Sequence, residues 1–567
     1  MSVEIKFGTD GWRGIIADDF TYASVRVATQ GIAQYLVTRS NPSAIVGYDT
    51  RFASELFARE VAQVLAANGV KVFVINAPAP TQVSTYAILD KKASGGLVIT
   101  ASHNPYYFSG LKYKPEYAGS ASPEVTNRLE EEIQRVQRGG RVRQVRFDDA
   151  QRDGTIELFD PQPSYAAQLN RLVDLSAIKA AGLRILHEPM YGASQGYVRA
   201  LLSGGKTTVE EIHGERNPGF GGMHPEPIAH YMPEAMERMQ AGGFDLCIAN
   251  DGDADRVGII DERGTFINQL QVMALLMMYL VEKRGQKGDV VRSLTSTSMV
   301  DKLGERFGVK VHELKVGFKY IGPKMAETNA MLGGEESGGF AFRGHIPERD
   351  GILSGISFAD MIVKYGQPLS RIMDHLTDLV GPHFYARHDL HLEREEYAAR
   401  RTELYGKLEK EPPTEIAGGR VARSRTDDGF KYYLDDGSWV LVRSGCASLS
   451  EFVKKPWGWE NRFAVTDKYV GKVIHINTGE MLSLQYHRQK DETVLVVQGA
   501  MDLQLEDDGG RLQTYRLTPG MSQRIAPGRK HRMIGVEACE FFEVSSPEID
   551  DVVRLEDKYG RQGTTVA

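Results

Sequence analysis

The stretch Gly96-Leu97-Val98-Ile99-Thr100 runs directly into Ala101-Ser102-His103-Asn104-Pro105. A short apolar run that stops at a polar, turn-rich loop reads as a buried strand delivering side chains to one end of a sheet. The pattern recurs at Ala44 to Tyr48 before Asp49, Lys71 to Ile75, Leu183 to His187, and Leu246 to Ala249 before Asn250. Longer stretches with helical spacing separate these runs up to about residue 370. The expected fold is therefore α/β, built from βα units with parallel strands, and its polar clusters fall where such sheets place their sites.

At 567 residues the chain is too long for one hydrophobic core, and roughly three to five domains are expected. With 41% apolar and 25% charged residues the composition is that of a globular protein. A net charge of −7 without a long Lys/Arg run argues against nucleic acid and anionic membranes as partners and leaves small molecules as the default. Cys247, Cys446 and Cys539 are odd in number and far apart, which fits a reducing compartment and no disulfide framework. The stretch MSVEIKFGTDGWRG has no signal-like pattern and no apolar run reaches membrane-spanning length, so cytoplasmic residence is expected.

Domain boundaries follow from composition. Residues 1–150 form a first unit ending in the polar run after Arg138-Gly139-Gly140-Arg141; 151–260 and 261–369 form a second and third. Residues 370–450 carry a charged helix around Glu393 to Leu408, then Pro412-Pro413, then alternation through Trp439-Val440-Leu441-Val442, a small α+β unit. Over 451–567 helical periodicity gives way to short β-rich runs between Gly/Pro/Asp turns, as in an all-β barrel or sandwich.

Four motifs carry chemistry. Phe7-Gly8-Thr9-Asp10-Gly11-Trp12-Arg13-Gly14 is a Gly-rich turn presenting one arginine, or a plain structural turn. Ser102 stands at a strand end beside His103, with Lys112 following in Gly110-Leu111-Lys112. A serine that carries phosphate needs cations and N–H donors around it, and a lysine can move a proton there; the alternative is a helix N-cap serine. In Asn250-Asp251-Gly252-Asp253-Ala254-Asp255-Arg256 three alternating carboxylates repel one another unless a hard cation sits among them. An EF-hand competes, since Glu262 lies seven residues past Asp255, but the glycine is misplaced and Val257 to Ile260 reads as a strand; a solvated acidic loop is the other alternative. Gly333-Gly334-Glu335-Glu336-Ser337-Gly338-Gly339 offers a carboxylate and a hydroxyl to a polyol.

In this order the motifs resemble the α-D-phosphohexomutase family, over about residues 5 to 445. The resemblance implies three mixed-sheet α/β domains and a small fourth domain. It also implies that Ser102 carries a transferable phosphate, that Asp251, Asp253 and Asp255 hold Mg²⁺ against it, and that hexose 1,6-bisphosphate activates the enzyme. Lys112, Arg13 and His103 would serve the transfer, while Arg256, Glu335 and Ser337 would bind hexose phosphate. Lys319, in Val316-Gly317-Phe318-Lys319-Tyr320-Ile321, and His345, in Gly344-His345-Ile346-Pro347, are expected to face the same cleft. The family's fourth domain ends in an Arg-Pro-Ser-Gly-Thr-Glu-Pro loop; here Arg443-Ser444-Gly445-Cys446-Ala447-Ser448 stands instead. Arg443, Ser444 and Gly445 retain donors for a phosphate, and the rest of the loop is missing.

In the β-rich region, Gly479, Gln485, His487, Glu492 and Gly499 have a spacing similar to the first cupin motif. Gln485, His487, Glu492 and His531 could surround one divalent metal, or be surface residues of a plain β-sandwich. Lys455-Pro456-Trp457-Gly458, Ser483-Leu484-Gln485-Tyr486-His487 and Arg554-Leu555-Glu556-Asp557-Lys558-Tyr559-Gly560-Arg561 resemble the type II mannose-6-phosphate isomerase cupin, over about 453 to 561. That resemblance implies a metal such as Zn²⁺ on those four residues, Arg554 handling the phosphosugar, and a route to a homodimer through the cupin. The combined expectation is a bifunctional enzyme. The Glu335-Glu336-Ser337 loop looks more like glucose-directed mutases, so a single-activity mutase with a structural cupin, or a non-catalytic phosphosugar binder, stays open.

Overall fold

The computed structural model describes residues 5–7, 11–387, 394–443, 451–465, 469–548 and 551–560. It divides into two compact units, Met1–Ala386 and Arg387–Ala567.

Three sheets form the first unit. In the first, the order is Trp12–Ile15, Phe108–Pro115, Gly95–Ile99, Ser43–Tyr48, Lys71–Ile75, Ile156–Phe159. Ser43–Tyr48 pairs in parallel with both neighbours, whereas Phe108–Pro115 runs antiparallel to both of its own. Ser43–Tyr48 and Gly95–Ile99 are buried at every position, which explains why they read as continuous apolar runs and not as alternating ones. The second sheet has the order Phe266–Ile267, Val257–Asp261, Leu246–Asn250, Arg184–Glu188, Thr208–Glu211, and the third Val311–Leu314, Val290–Ser293, Leu332–Gly334, Phe340–Phe342. All three are mixed, with parallel pairings toward one edge and antiparallel strands at the other.

The compositional boundaries fall short of these sheets. The polar run after Arg138 turns back on the first core, where Phe147 and Ala150 are buried, and Ile156–Phe159 then adds an edge strand beside Lys71–Ile75. Phe266–Ile267 completes the second sheet beyond residue 260. Helix Leu369–Val380 buries Leu369, Ile372, Leu376 and Val380 in the core shared by the second and third sheets, so the first unit continues past 369. Spacing of apolar residues at i, i+3 and i+7 accounts for that packing.

In the second unit, helix Arg394–Lys410 precedes a four-stranded antiparallel sheet, Glu415–Ile416, Gly419–Arg425, Phe430–Leu434, Trp439–Val442. Two antiparallel sheets of six and five strands follow, enclosing Trp457, Ile474, Ile476, Val494, Met501, Leu503, Met533 and Phe541. Among the described residues no helix is long and apolar enough to cross a membrane.

Candidate active sites

Ser102 lies just beyond the end of Gly95–Ile99, in a loop that leads into the strand Phe108–Pro115, not into a helix, so it caps nothing. Its backbone is left-handed, with φ +54°, its amide donates to Thr100 Oγ1 at 2.9 Å, and its hydroxyl donates to Asp251 Oδ2 at 2.8 Å. A non-glycine residue held at positive φ is uncommon and marks a conformation imposed by its surroundings. The second sheet delivers the partner: Leu246–Asn250 ends at Asp251, and the loop returns along Val257–Asp261.

Asp251, Asp253 and Asp255 are all fully buried, and a carboxylate oxygen from each lies within 4.8 Å of the others. Burial pushes the Asp251 carboxyl well above its ordinary range, and the neighbouring Asp253 and Asp255 push it further. Burial also acts to raise Asp253, but Lys112 outweighs it and holds that carboxyl below the usual range. Lys112 Nζ donates to Asp253 Oδ2 at 2.8 Å and to Asp255 Oδ2 at 3.2 Å, while the Oδ1 atoms of both are buried without a hydrogen-bond partner. Two orphaned carboxylate oxygens in one buried cluster fit a divalent cation. The EF-hand alternative fails, because Glu262 accepts hydrogen bonds from the amide and hydroxyl of Ser370.

Around this centre, Arg13 donates to Asn104 Oδ1. His103 is held well below the ordinary imidazole range by burial and then by Arg256, Arg13, His224 and Arg51, so it is neutral near pH 7. The Arg256 amide donates to Asp251 Oδ1 at 3.0 Å, and its guanidinium to Glu226 Oε1 at 3.2 Å. Glu335 is buried: it accepts from the Gly317 amide at 2.7 Å and lies 3.9 Å from Arg349, and burial raises its carboxyl. Ser337 is half-buried in the turn between Leu332–Gly334 and Phe340–Phe342.

Of the two further residues expected at the cleft, His345 turns inward. Lys319 sits in the first turn of Phe318–Thr328 with Nζ over the Tyr320 ring, 5.4 Å from its centre. The His345 side chain is sealed from solvent: it packs against Tyr86 and Tyr165, with Nε2 2.9 Å from Asp350 Oδ2. Asp350 is itself the cap of helix Gly351–Tyr365, so His345 supports packing and does not open onto a ligand.

Several residues gave no motif in the sequence. Arg349 Nη2 lies 2.9 Å from Asp255 Oδ2, joining the aspartate loop to the Glu335 loop. A Cβ on Gly339 would come within 2.3 Å of Arg349 Cδ, so that glycine makes room for the arginine. Fully buried Glu348 accepts from Lys114 Nζ at 2.6 Å and Ser120 Oγ at 2.7 Å. Thr81 Oγ1 donates to Asp253 Oδ2 at 2.6 Å.

In the second unit, His487, Glu492 and His531 are buried and converge. His487 Nδ1 is bonded to the Asp551 carbonyl, and His531 Nδ1 to the Arg529 carbonyl at 3.1 Å. A carbonyl only accepts, so each ring donates from Nδ1 and turns its Nε2 toward Glu492. Glu492 lies 3.4 Å from His487 Nε2 and 3.1 Å from His531 Nε2. His487 Nε2 is buried without a hydrogen-bond partner, which again fits a metal. Burial would raise the Glu492 carboxyl, yet Lys490, His487 and His531 hold it well below the usual range. Gln485 stands beside this set, its oxygen accepting from Ser483 Oγ at 2.7 Å and its amide nitrogen 3.4 Å from His531. Arg554 is the cross-strand neighbour of Gln485. Lys490, which the spacing did not single out, bridges Glu492 at 2.5 Å and Glu543 at 2.7 Å. Arg443 Nε donates to Asp428 Oδ1 at 3.1 Å; Ser444 and Gly445 lie outside the described residues.

A strand-end serine aimed at buried carboxylates with room for a cation suits phosphoryl transfer. Family models described as phosphoglucomutase/phosphomannomutase, alpha/beta/alpha domains I, II and III match residues 4–139, 163–264 and 268–379, and one described as mannose-6-phosphate isomerase C-terminal matches 445–557. A solved structure described as a putative phosphomannomutase from Thermus thermophilus is 31% identical, with TM-score 0.69, covering 78% of this chain and 94% of that one. The phosphoglucomutase/phosphomannomutase of Thermococcus kodakarensis is 29% identical over 77% of this chain and 91% of its own length. Phosphoglucomutase 1 of Drosophila melanogaster is 28% identical over 72% and 82%. The chain belongs to the phosphoglucomutase/phosphomannomutase family and carries a mannose-6-phosphate isomerase cupin domain behind it.

Proposed function

We propose that the chain is a bifunctional enzyme. The first unit interconverts hexose 6-phosphate and hexose 1-phosphate through phosphorylated Ser102 and a hexose 1,6-bisphosphate, which also serves as activator. The cupin interconverts fructose 6-phosphate and mannose 6-phosphate, so its product is the substrate of the mutase. The observation that carries the mutase half is the 2.8 Å approach of Ser102 Oγ to Asp251 Oδ2 within the three-carboxylate cluster.

Asp251, Asp253 and Asp255 would hold Mg²⁺, which supplies charge neutralisation at the transferring phosphoryl group. Lys112, bonded to two of these carboxylates, would move the proton of the sugar hydroxyl, and Arg13 and neutral His103 would serve the phosphate. Arg256, Glu335 and Ser337 would take the sugar phosphate. In the cupin, His487, Glu492, His531 and Gln485 would hold a divalent ion such as Zn²⁺, which supplies polarisation of the sugar oxygens, while Arg554 meets the phosphate.

A glucose-directed mutase with a structural cupin is the second reading, favoured by the Glu335-Glu336-Ser337 loop. Coupled assays separate them. Ser102→Ala should abolish mutase turnover and spare the isomerase; His487→Ala should do the reverse. Wild type without isomerase activity favours the second reading, and wild type inert toward every hexose phosphate overturns both.

A further inference from the structure

Arg51 belongs to none of the sequence motifs, and its side chain is 0% exposed. A guanidinium carries five N–H donors in a rigid fork, and each has an acceptor here. Nε donates to Asp49 Oδ2 at 3.0 Å. Nη1 donates to the carbonyls of Pro105 at 2.8 Å and Phe108 at 3.1 Å. Nη2 donates to the carbonyls of Ser102 at 2.5 Å and Asn104 at 2.7 Å. All the carbonyls belong to the single stretch 102–108.

Oxygen dipoles gathered at one point repel one another, and Ser102 is held left-handed, a strained conformation for a residue with a Cβ. A cation at the convergence point relieves the first and fixes the second. The second sheet is tied to the same spot: the Phe220 ring lies 4.9 Å from Arg51 Cζ, and a Cβ on Gly252 would fall 2.5 Å from the Ser102 carbonyl and 3.4 Å from Arg51 Nη2. The loop carrying Asp251 therefore packs directly on the Arg51–Ser102 contact.

We propose that Arg51 is the positioning residue for phosphoryl transfer: it never meets the sugar, but, anchored on Asp49, its four hydrogen bonds to carbonyls set the loop 102–108 so that the Ser102 hydroxyl faces Asp251. The inference rests on the mutase reading. Lysine keeps the charge but radiates three donors from one atom, so it cannot span the carbonyls.

The test is Arg51→Lys in the full chain, reading phosphate uptake on Ser102 from hexose 1,6-bisphosphate together with kcat and KM. A displaced loop should lower kcat and Ser102 phosphorylation by about 100-fold, with KM within about threefold. An Arg51→Lys enzyme within twofold of wild-type kcat, or one with raised KM and unchanged kcat, overturns the proposal. If that variant does not fold, Phe220→Leu removes the ring but no hydrogen bond and should lower kcat roughly threefold at constant KM; an unchanged kcat counts against the proposal. Wild type that neither turns over hexose phosphates nor takes phosphate on Ser102 fells the mutase reading and this inference with it. Active wild type matched by Arg51→Lys fells this inference alone.

Discussion

Ser102 Oγ donates to Asp251 Oδ2 at 2.8 Å across 149 positions of sequence, joining the first sheet to the second with both side chains buried. The hydroxyl that would carry phosphate is thus already placed on the carboxylate cluster that would carry the cation.

Asp251→Asn keeps the shape and removes the charge. Mutase kcat should fall by about two to three orders of magnitude, because stabilisation of the transferring group is lost. Thermal stability should hold or rise, since a carboxyl pushed up by burial no longer has to be ionised in the interior. Steady-state kinetics beside a thermal melt checks both.

Gly339→Ala should push Arg349 off Asp255 and Glu335, because the added methyl would lie 2.3 Å from Arg349 Cδ. The expected result is a loss of about 1–3 kcal/mol in urea unfolding and a tenfold or larger fall in mutase kcat/KM. Wild-type kinetics in this variant would show that Arg349 has no part in the site.

Stripping divalent metal with a chelator should abolish isomerase activity, and purified protein should carry one divalent ion per cupin. His487→Ala and His531→Ala should lose that ion while the mutase half keeps its turnover. Metal analysis of the three proteins decides.

His213 Nδ1 lies 2.6 Å from Glu188 and Nε2 3.2 Å from Glu234. Burial alone lowers its pKa, yet the Glu188 bond and the two carboxylates win, and the net shift is upward. A raised folded pKa contributes stability that is complete below the unfolded value of about 6.5 and is lost as pH rises through the folded one. Wild type should therefore lose up to about 1 kcal/mol relative to His213→Gln between pH 5.5 and pH 8.5. Denaturant unfolding of both proteins at the two pH values measures the difference.

Much of this was legible in the sequence for a physical reason. Parallel strands buried on both faces must be apolar throughout, and their polar ends must be loops, so Ser102 and the Asp251 loop stand out. The aspartates are visible because three close carboxylates need an explanation. Arg51 and Arg349 are not, since an arginine that spends its donors on carbonyls and distant carboxylates leaves no local spacing. Tyr48-Asp49-Thr50-Arg51 at a strand end was the available signal, as was Pro347-Glu348-Arg349-Asp350 directly after the quoted loop. His345 misleads because a histidine beside Gly and Pro does not say which way its ring turns; Asp350, Tyr86 and Tyr165 turn it inward. The boundary at 369 misses helix Leu369–Val380 because its apolar stripe finds its partner only in the folded core.

Mass analysis of the Ser102 peptide, after incubation of the full chain with hexose 1,6-bisphosphate, tests the central claim most directly. One phosphate on Ser102, absent from Ser102→Ala and removed when hexose monophosphate is added, is the predicted result. Mutase turnover that persists in Ser102→Ala, or proceeds while Ser102 never carries phosphate, would contradict it.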